Sequence, residues 1–272
     1  MTMSNQPSLG HWEEAEVARS RVQASLTRGV KPTAKRILER YAAPPADTPY
    51  ALEYAYHLIG DVRAQTVLDY GCGDGRDTAL LAARGAHVIA LDLSPDLLEI
   101  ARKRIAVDAP LARVQILCAS AHAVPLPDES VDLVFGHAVL HHLDLTRSAA
   151  EVYRVLRPGG RAIFKEPMRE SRLIRAIRPL IPYRQPDISP YERPLRRAEI
   201  EEFGRQFELG RVRMFGLPFV RAAELLRTSK TIQDRSYALD ARLIARYQAL
   251  RTCASIIVFE LHKPGPAASP TS

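Results

Sequence analysis

The sequence predicts an α/β protein built on a parallel sheet with helices on both faces. Three observations carry this. Short apolar runs alternate with longer segments of helical character between residues 66 and 166, the pattern of repeated strand–helix units. The first run, Val67-Leu68-Asp69-Tyr70, enters Gly71-Cys72-Gly73-Asp74-Gly75-Arg76 and then a helix. Glycines let the backbone turn tightly and let a ligand approach it, and a helix start offers unpaired N–H groups. The chain, finally, has 272 residues and is 46% hydrophobic, enough for one sizeable core with an appended cap.

The N-terminal part reads as helices over Trp12–Ser25, Thr33–Tyr41 and Tyr50–Ile59, with Pro32 suited to a first-turn position. Strand one is Thr66–Tyr70. Asp77–Arg84 is its helix, stopped by Gly85 at C′. Strand two is His87–Asp92, and Ser94-Pro95 opens the next helix as N-cap and first-turn proline. Val114–Cys118 and Val131–His137 are strands three and four. Thr146–Leu156 is a helix ended by Pro158-Gly159-Gly160, and Arg161–Glu166 is strand five. Beyond it, Arg169, Arg172, Arg175 and Arg178 flank the apolar face of a helix read over Met168–Leu180, and a proline-rich stretch follows. Helices over Arg197–Phe207, Pro218–Arg227 and Ala238–Arg251, an edge strand Glu208–Phe215 and a last strand Cys253–His262 complete the chain.

The glycine run does not fit a dinucleotide. That fingerprint is G-x-G-x-x-G around a pyrophosphate, and Arg76 stands where its last glycine belongs. Asp69, two residues before the first glycine, repels a pyrophosphate but suits an ammonium group. Asp92, ending strand two, is placed to bind ribose hydroxyls. An ammonium and a ribose without a phosphate describe S-adenosylmethionine.

The stretch from Thr66 to Pro167 resembles the class I S-adenosylmethionine-dependent methyltransferases. The likeness rests on the glycine loop, Ala90-Leu91-Asp92-Leu93-Ser94, Val124-Pro125-Leu126-Pro127-Asp128, Val139-Leu140-His141-His142-Leu143 and Arg154-Val155-Leu156-Arg157-Pro158-Gly159-Gly160. It implies a Rossmann-like three-layer sandwich: a mostly parallel seven-stranded sheet with one antiparallel strand near the edge, the last strand lying between strands five and six. Residues 1–61 are then an N-terminal helical segment covering the site. Residues 62–263 are the methyltransferase domain with a helical cap insertion at 167–196, and residues 264–272 are a flexible tail.

The resemblance also assigns roles. Asp69 and the backbone of Gly71, Cys72, Gly73 and Gly75 hold the methionyl end, Asp92 accepts both ribose hydroxyls, and Leu93 packs on the adenine. An acid usually meets the adenine amino group at the end of strand three. Here Ser120 takes that position, with Ala121 offering a backbone N–H. The backbone of His137 contacts the cofactor. Methyl transfer is a displacement on an already activated methyl, so the protein mainly positions and desolvates. A neutral His141 or His142 can accept an acceptor's proton, and Glu166 can orient an acceptor amine or hydroxyl or pair with a nearby arginine. No acidic cluster accompanies the histidines to form a metal site.

Charge bears on the acceptor. The net charge is +7, and Arg161–Arg197 holds ten basic and four acidic residues. The main expectation is a small-molecule acceptor methylated on N, O or C. An RNA, such as a tRNA, is an alternative favoured by the basic charge, although no run like Asn-Pro-Pro-Tyr follows strand four. A membrane-borne quinone or lipid reached through residues 168–181 is another, and a non-enzymatic cofactor-binding regulator is a third. Three widely spaced cysteines, Cys72, Cys118 and Cys253, read as reduced thiols. With no apolar run long enough to span a bilayer, and with Glu13, Glu14 and Glu16 arguing against a transit peptide, the expectation is a cytoplasmic protein.

Overall fold

The computed structural model describes residues 9–27, 29–171 and 193–265. A seven-stranded sheet forms its centre, in the order β3-β2-β1-β4-β5-β7-β6. The strands are β1 (Thr66–Tyr70), β2 (His87–Asp92), β3 (Val114–Cys118), β4 (Val131–His137), β5 (Leu156–Pro167), β6 (Glu208–Phe215) and β7 (Ile256–His262). The first five pair in parallel, and β7 pairs antiparallel with both β5 and β6. The expected mostly parallel sheet with one antiparallel strand is what forms.

The helices are α1 (Leu9–Ser25), α2 (Lys35–Ala42), α3 (Ala51–Ile59), α4 (Arg76–Ala83), α5 (Pro95–Asp108), α6 (Leu145–Val155), α7 (Arg197–Phe203), α8 (Pro218–Leu225) and α9 (Lys230–Arg246). Strand alternation sorts the core into two layers. Val67, Leu133, Phe135 and Ile163 pack against Tyr54, Tyr56, Leu58 and Ile59 of α3 and Leu80 and Leu81 of α4. Leu68, Tyr70, Val134 and Phe164 pack against Val152 and Val155 of α6 and Ile200 and Phe203 of α7. Each such fully buried large side chain stabilises the fold by about 1.5–3 kcal/mol. The tyrosines of α3 are therefore core residues: Tyr56 is fully buried, and α3 is a layer of the sheet while α1 lies over the strand ends.

Several boundaries differ from the sequence reading. Strand β5 begins at Leu156 and runs through Pro158-Gly159-Gly160, because Gly159 N–H donates to Lys263 O and Lys263 N–H donates back to Gly160 O, at 3.0 and 2.9 Å. A side chain at Gly160 would meet the carbonyl of Arg157 at 2.8 Å, so glycine lets the strand form there. Helix α6 accordingly ends at Val155, one residue before the expected Leu156; Asp144 caps its start by accepting from Arg147 N–H at 3.0 Å. Helix α2 starts at Lys35, and Pro32 lies outside it; the intervening Thr33 is tied to Asp108 through both its N–H and its hydroxyl, at 2.7 and 2.6 Å. Helix α7 stops at Phe203. Helix α9 starts at Lys230, capped by Ser229, and gives way to a 3₁₀ turn at Gln248–Cys253. The caps expected at Ser94 and Gly85 form: the Ser94 hydroxyl accepts from Leu97 N–H at 3.3 Å, and Gly85 has φ +85°.

Most of the basic helix read over Met168–Leu180, and of the cap insertion at 167–196, lies outside the described residues. Of that insertion the structure shows Met168 bridging Leu195 in parallel. Among the described residues no helix is long and apolar enough to cross a membrane. The three cysteines are free thiols.

Candidate functional site

Strand order reverses between β1 and β4, and the crevice beyond the carboxyl ends of such neighbouring strands is where open α/β sheets bind ligands. A cavity of about 450 Å³ opens there, within the range of small-molecule sites. Its wall combines the β1–α4 loop, the ends of β2 and β4, the turn after β3 and one side of α1.

The loop is pinned before any ligand arrives. Gly71 and Cys72 N–H both donate to Leu91 O, at 2.9 and 2.8 Å. Gly71 has φ +77°, and a Cβ there would lie 2.4 Å from Val139 Cγ2, so only glycine fits. Gly73 has φ +52°, yet a Cβ on it would meet nothing within 4 Å; its side faces open cavity. Gly73 N–H donates to Asp92 Oδ2 and Ser94 N–H to Asp92 Oδ1, both at 2.8 Å. Two amides thus fix the Asp92 carboxylate at the cavity wall and leave lone pairs on each oxygen. Burial raises the Asp92 pKa above the usual carboxylate value, against these two bonds and the charge of Arg19.

Asp69 is fully buried behind the loop and accepts the hydroxyl of Thr78. Its pKa is raised well above normal, first by burial and then by the charge of Asp77. It is absent from the cavity wall, where the acids are Glu13, Glu16, Asp74, Asp77 and Asp92, with Arg19 and Arg76 as cations. Asp77 accepts the Tyr56 hydroxyl at 2.8 Å and lies 2.7 Å from His137 Nδ1. Lys165 Nζ is 3.1 Å from His137 Nε2. The lysine donates to Nε2, so the hydrogen of a neutral imidazole sits on Nδ1, facing Asp77. Burial opposes ionisation of Asp77, but the bonds from His137 and Tyr56 and the Lys165 charge outweigh it and lower its pKa. Burial lowers that of Lys165.

After β4 the chain turns through Ala138, at φ +56°, into a 3₁₀ turn Leu140–His142. Glu166, fully buried at the end of β5, holds this turn. Its Oε1 accepts Val139 and Leu140 N–H at 2.8 and 2.9 Å, and its Oε2 lies 2.8 Å from His141 Nδ1. The carboxylate positions a strained turn and sets the His141 ring. His142 Nδ1 is 3.2 Å from Glu16 Oε1. The two imidazoles lie 4.0 Å apart by centroid, and both line the cavity. Among the described residues no group of three His, Cys, Asp or Glu is arranged to hold a metal ion.

Comparison with known proteins decides what this frame is. Residues 68–164 match the family described as the methyltransferase domain. Those residues form a methyltransferase domain. An uncharacterized methyltransferase of Mycobacterium tuberculosis is 40% identical over 117 residues, covering 43% of this chain and 44% of its own length. A demethylmenaquinone methyltransferase of Clavibacter sepedonicus is 37% identical over 109 residues, covering 40% and 43%. The chain therefore spans less than half the length of these curated relatives. Among solved structures, geranyl diphosphate C-methyltransferase from Streptomyces coelicolor, in complex with Mg2+, geranyl diphosphate and S-adenosylhomocysteine, superposes with a TM-score of 0.59. That match has 16% identity and covers 93% of this chain and 98% of that one; at this identity it shows a shared fold.

Class I methyltransferases use S-adenosylmethionine, and the methyltransferase domain here fits it. The open side of Gly73 lets a ligand approach the backbone, Asp92 presents a fixed carboxylate suited to vicinal hydroxyls, and the acid-rich wall suits a sulfonium and an ammonium. Of the expected residues, Gly71, Cys72, Gly73, Asp92, Leu93, Ser120, Ala121, His137, His141 and His142 all line the cavity. Asp69 and Glu166 stand behind it, and Gly75, packed against Ala101, is also absent from its wall.

The sequence reading expected residues 1–61 to cover the site but named none of the α1 residues that line it. Trp12, Glu13, Glu16, Arg19, Ser20 and Gln23 line the cavity. Glu13, Glu16, Ser20 and Gln23 recur at three- and four-residue steps, one side of a helix. That polar stripe was the available signal. His122 was also missed: its Nε2 accepts Asp144 N–H at 2.9 Å.

Proposed function

We propose that the protein transfers the methyl group of S-adenosylmethionine to an N, O or C atom of a small-molecule acceptor. The observation that carries this reading is Asp92, fixed by two backbone amides beside the open face of Gly73 in a cavity at the strand switch point. Asp92 would take the ribose hydroxyls, Leu93 the adenine face, Ser120 and Ala121 its edge, and Gly71, Cys72 and Gly73 the methionyl end. Asp69 would act through its field from behind the loop, and the His137 backbone would border the site. When bound, the cofactor supplies an activated methyl; the chain's own residues position the acceptor, exclude water and receive its proton.

His141 and His142 are the candidate bases. Glu166 accepts at His141 Nδ1, which fixes a hydrogen there and orients a base acting through Nε2, as a carboxylate–imidazole pair does in other enzymes. Glu166 is then a positioning residue. The five acids of the cavity wall support a small acceptor over RNA, whose phosphates they would repel. A membrane-borne quinone or lipid is the second reading, favoured by the likeness to the demethylmenaquinone methyltransferase and by the basic stretch between Arg161 and Arg197.

Calorimetric titration with S-adenosylmethionine and S-adenosylhomocysteine is the test, with Asp92→Ala beside the unsubstituted protein. Micromolar binding is expected. It should weaken about 100-fold in the variant, which loses two charge-assisted hydrogen bonds. No binding by the folded, unsubstituted protein would overturn the reading. Labelled-methyl transfer to candidate acceptors then follows, with sedimentation on anionic vesicles separating the lipid reading and salt-dependent tRNA binding the RNA one.

A further inference from the structure

The strand-three end lacks a carboxylate of its own, and α1 brings one to it. Glu13 and Ser120 are 107 residues apart, yet the Ser120 hydroxyl donates to Glu13 Oε1. His122 Nδ1 lies 3.2 Å from the same oxygen. The tautomer follows from the other side of the ring. His122 Nε2 accepts Asp144 N–H, so the hydrogen of the neutral imidazole sits on Nδ1 and is donated to Glu13. Ser120 Oγ accepts His122 N–H at 3.0 Å, which turns its single hydrogen toward Glu13. Two neutral donors therefore hold Oε1 in place. Oε2 takes no hydrogen bond among the described residues, while the side chain stands in the cavity wall, 27% exposed.

We propose that Glu13 selects the base of the bound nucleoside, its Oε2 accepting the exocyclic amine of adenine. This rests on the methyltransferase reading and adds to it a residue from outside the methyltransferase domain. The placement follows the sheet. Asp92 ends β2 and is the ribose carboxylate of that reading; Cys118, paired with Asp92 in register, ends the neighbouring β3. A base attached to a ribose at Asp92 and lying toward β3 meets Ser120, Ala121 and His122, which line the same cavity. Of the side chains there, His122 has both ring nitrogens committed, and Ser120 has its hydrogen given to Glu13 and one lone pair taken by His122 N–H. Glu13 is the charged acceptor of the group, with Oε2 open, and a carboxylate accepts from an amine more strongly than a hydroxyl does. A carboxylate accepts from an amine and repels a carbonyl oxygen, so the pocket distinguishes adenine from its 6-oxo counterpart.

The test compares S-adenosylhomocysteine with S-inosylhomocysteine, in which the amine is replaced by a carbonyl, by calorimetry on the full chain. Glu13→Gln keeps the size and an acceptor but loses the charge and gains a donor. Expected is preference of the unsubstituted protein for the adenine compound, and a loss of about tenfold or more in the variant's affinity for it. The 6-oxo compound should bind the variant as well as or better than before, so the ratio collapses. Exposed Glu14→Gln should leave both affinities unchanged, and matching thermal melts show that the variants are folded. An unchanged ratio in Glu13→Gln overturns the assignment while leaving the function standing. Failure of the unsubstituted protein to bind either compound overturns the methyltransferase reading and the assignment with it.

Discussion

The β1–α4 loop and α1 both line the cavity, but they are held by different forces. The loop is held through its backbone. Its amides are paired with Leu91 and Asp92, Gly71 and Gly75 press against Val139 and Ala101, and Asp69 anchors it from behind through Thr78. Helix α1 buries one residue, Ser20. It is attached at its margins by polar contacts: Glu13 to Ser120 and His122, Glu16 to His142, and Arg21 to Asp96 at 3.4 Å between exposed groups. The exposed Arg21–Asp96 pair contributes about 1 kcal/mol or less. The difference predicts a division of labour, with the loop held before ligand arrives and α1 tightened by it.

The sharpest way to break the comparison is Gly71→Ala. The new methyl would sit 2.4 Å from Val139 Cγ2 at φ +77°, combining overpacking with left-handed strain, at a cost of about 3 kcal/mol. A denaturant melt should show that loss. A variant as stable as the parent would mean that the loop is as loosely held as α1.

Hydrogen exchange measures the two walls directly. Amides of α4 should exchange about 100-fold more slowly than those of α1 in the ligand-free protein, and S-adenosylhomocysteine should slow α1 about tenfold with little effect on α4. Equal protection in the free protein would abolish the distinction.

Asp69→Asn gives the smallest effect and the most informative sign. The folded pKa of Asp69 lies well above its unfolded value, chiefly through burial. The folded state therefore holds the proton more tightly. That contribution to stability is full below the unfolded pKa and is lost as pH rises through the folded one. At neutral pH the amide should stabilise the ligand-free protein by about 1 kcal/mol, with the gain over the parent shrinking as pH falls through the folded pKa, and should weaken S-adenosylhomocysteine binding. Stability and affinity moving together would show that Asp69 serves the fold instead of the ligand's charge.

What the sequence made legible was local. Strands β1 to β4 and β6 lie where their apolar runs and punctuating residues place them, and the glycine loop with Asp92 identifies the ligand-facing edge without any partner being known. β5 was shortened because Pro158-Gly159-Gly160 reads as a stop; the pairing with Lys263 that makes it strand is more than 100 residues away. The same limit hid which residues of the N-terminal segment form the α1 wall. Glu13 and Glu16 weighed only against a targeting segment, since nothing near them in sequence shows that they reach Ser120 and His142. Ser120 follows the end of β3 and lines the cavity, but the acid beside it comes from another element. Glu166 was legible as a strand-end carboxylate, but that it holds two amides of the next turn depends on how β4 and β5 pair.

The antiparallel insertion of β7 between β5 and β6 has a consequence for the order in which the molecule assembles. Synthesis delivers β6 first, and β6 has no partner in the sheet except β7. Until β7 arrives, the growing chain carries an open sheet edge along Ala162, Ile163 and Phe164, residues fully buried in the finished fold, and a β6 segment with nowhere to pair. Exposed apolar edges of this kind are templates for intermolecular pairing, so the interval between making β5 and making β7 is when the nascent chain most needs a chaperone.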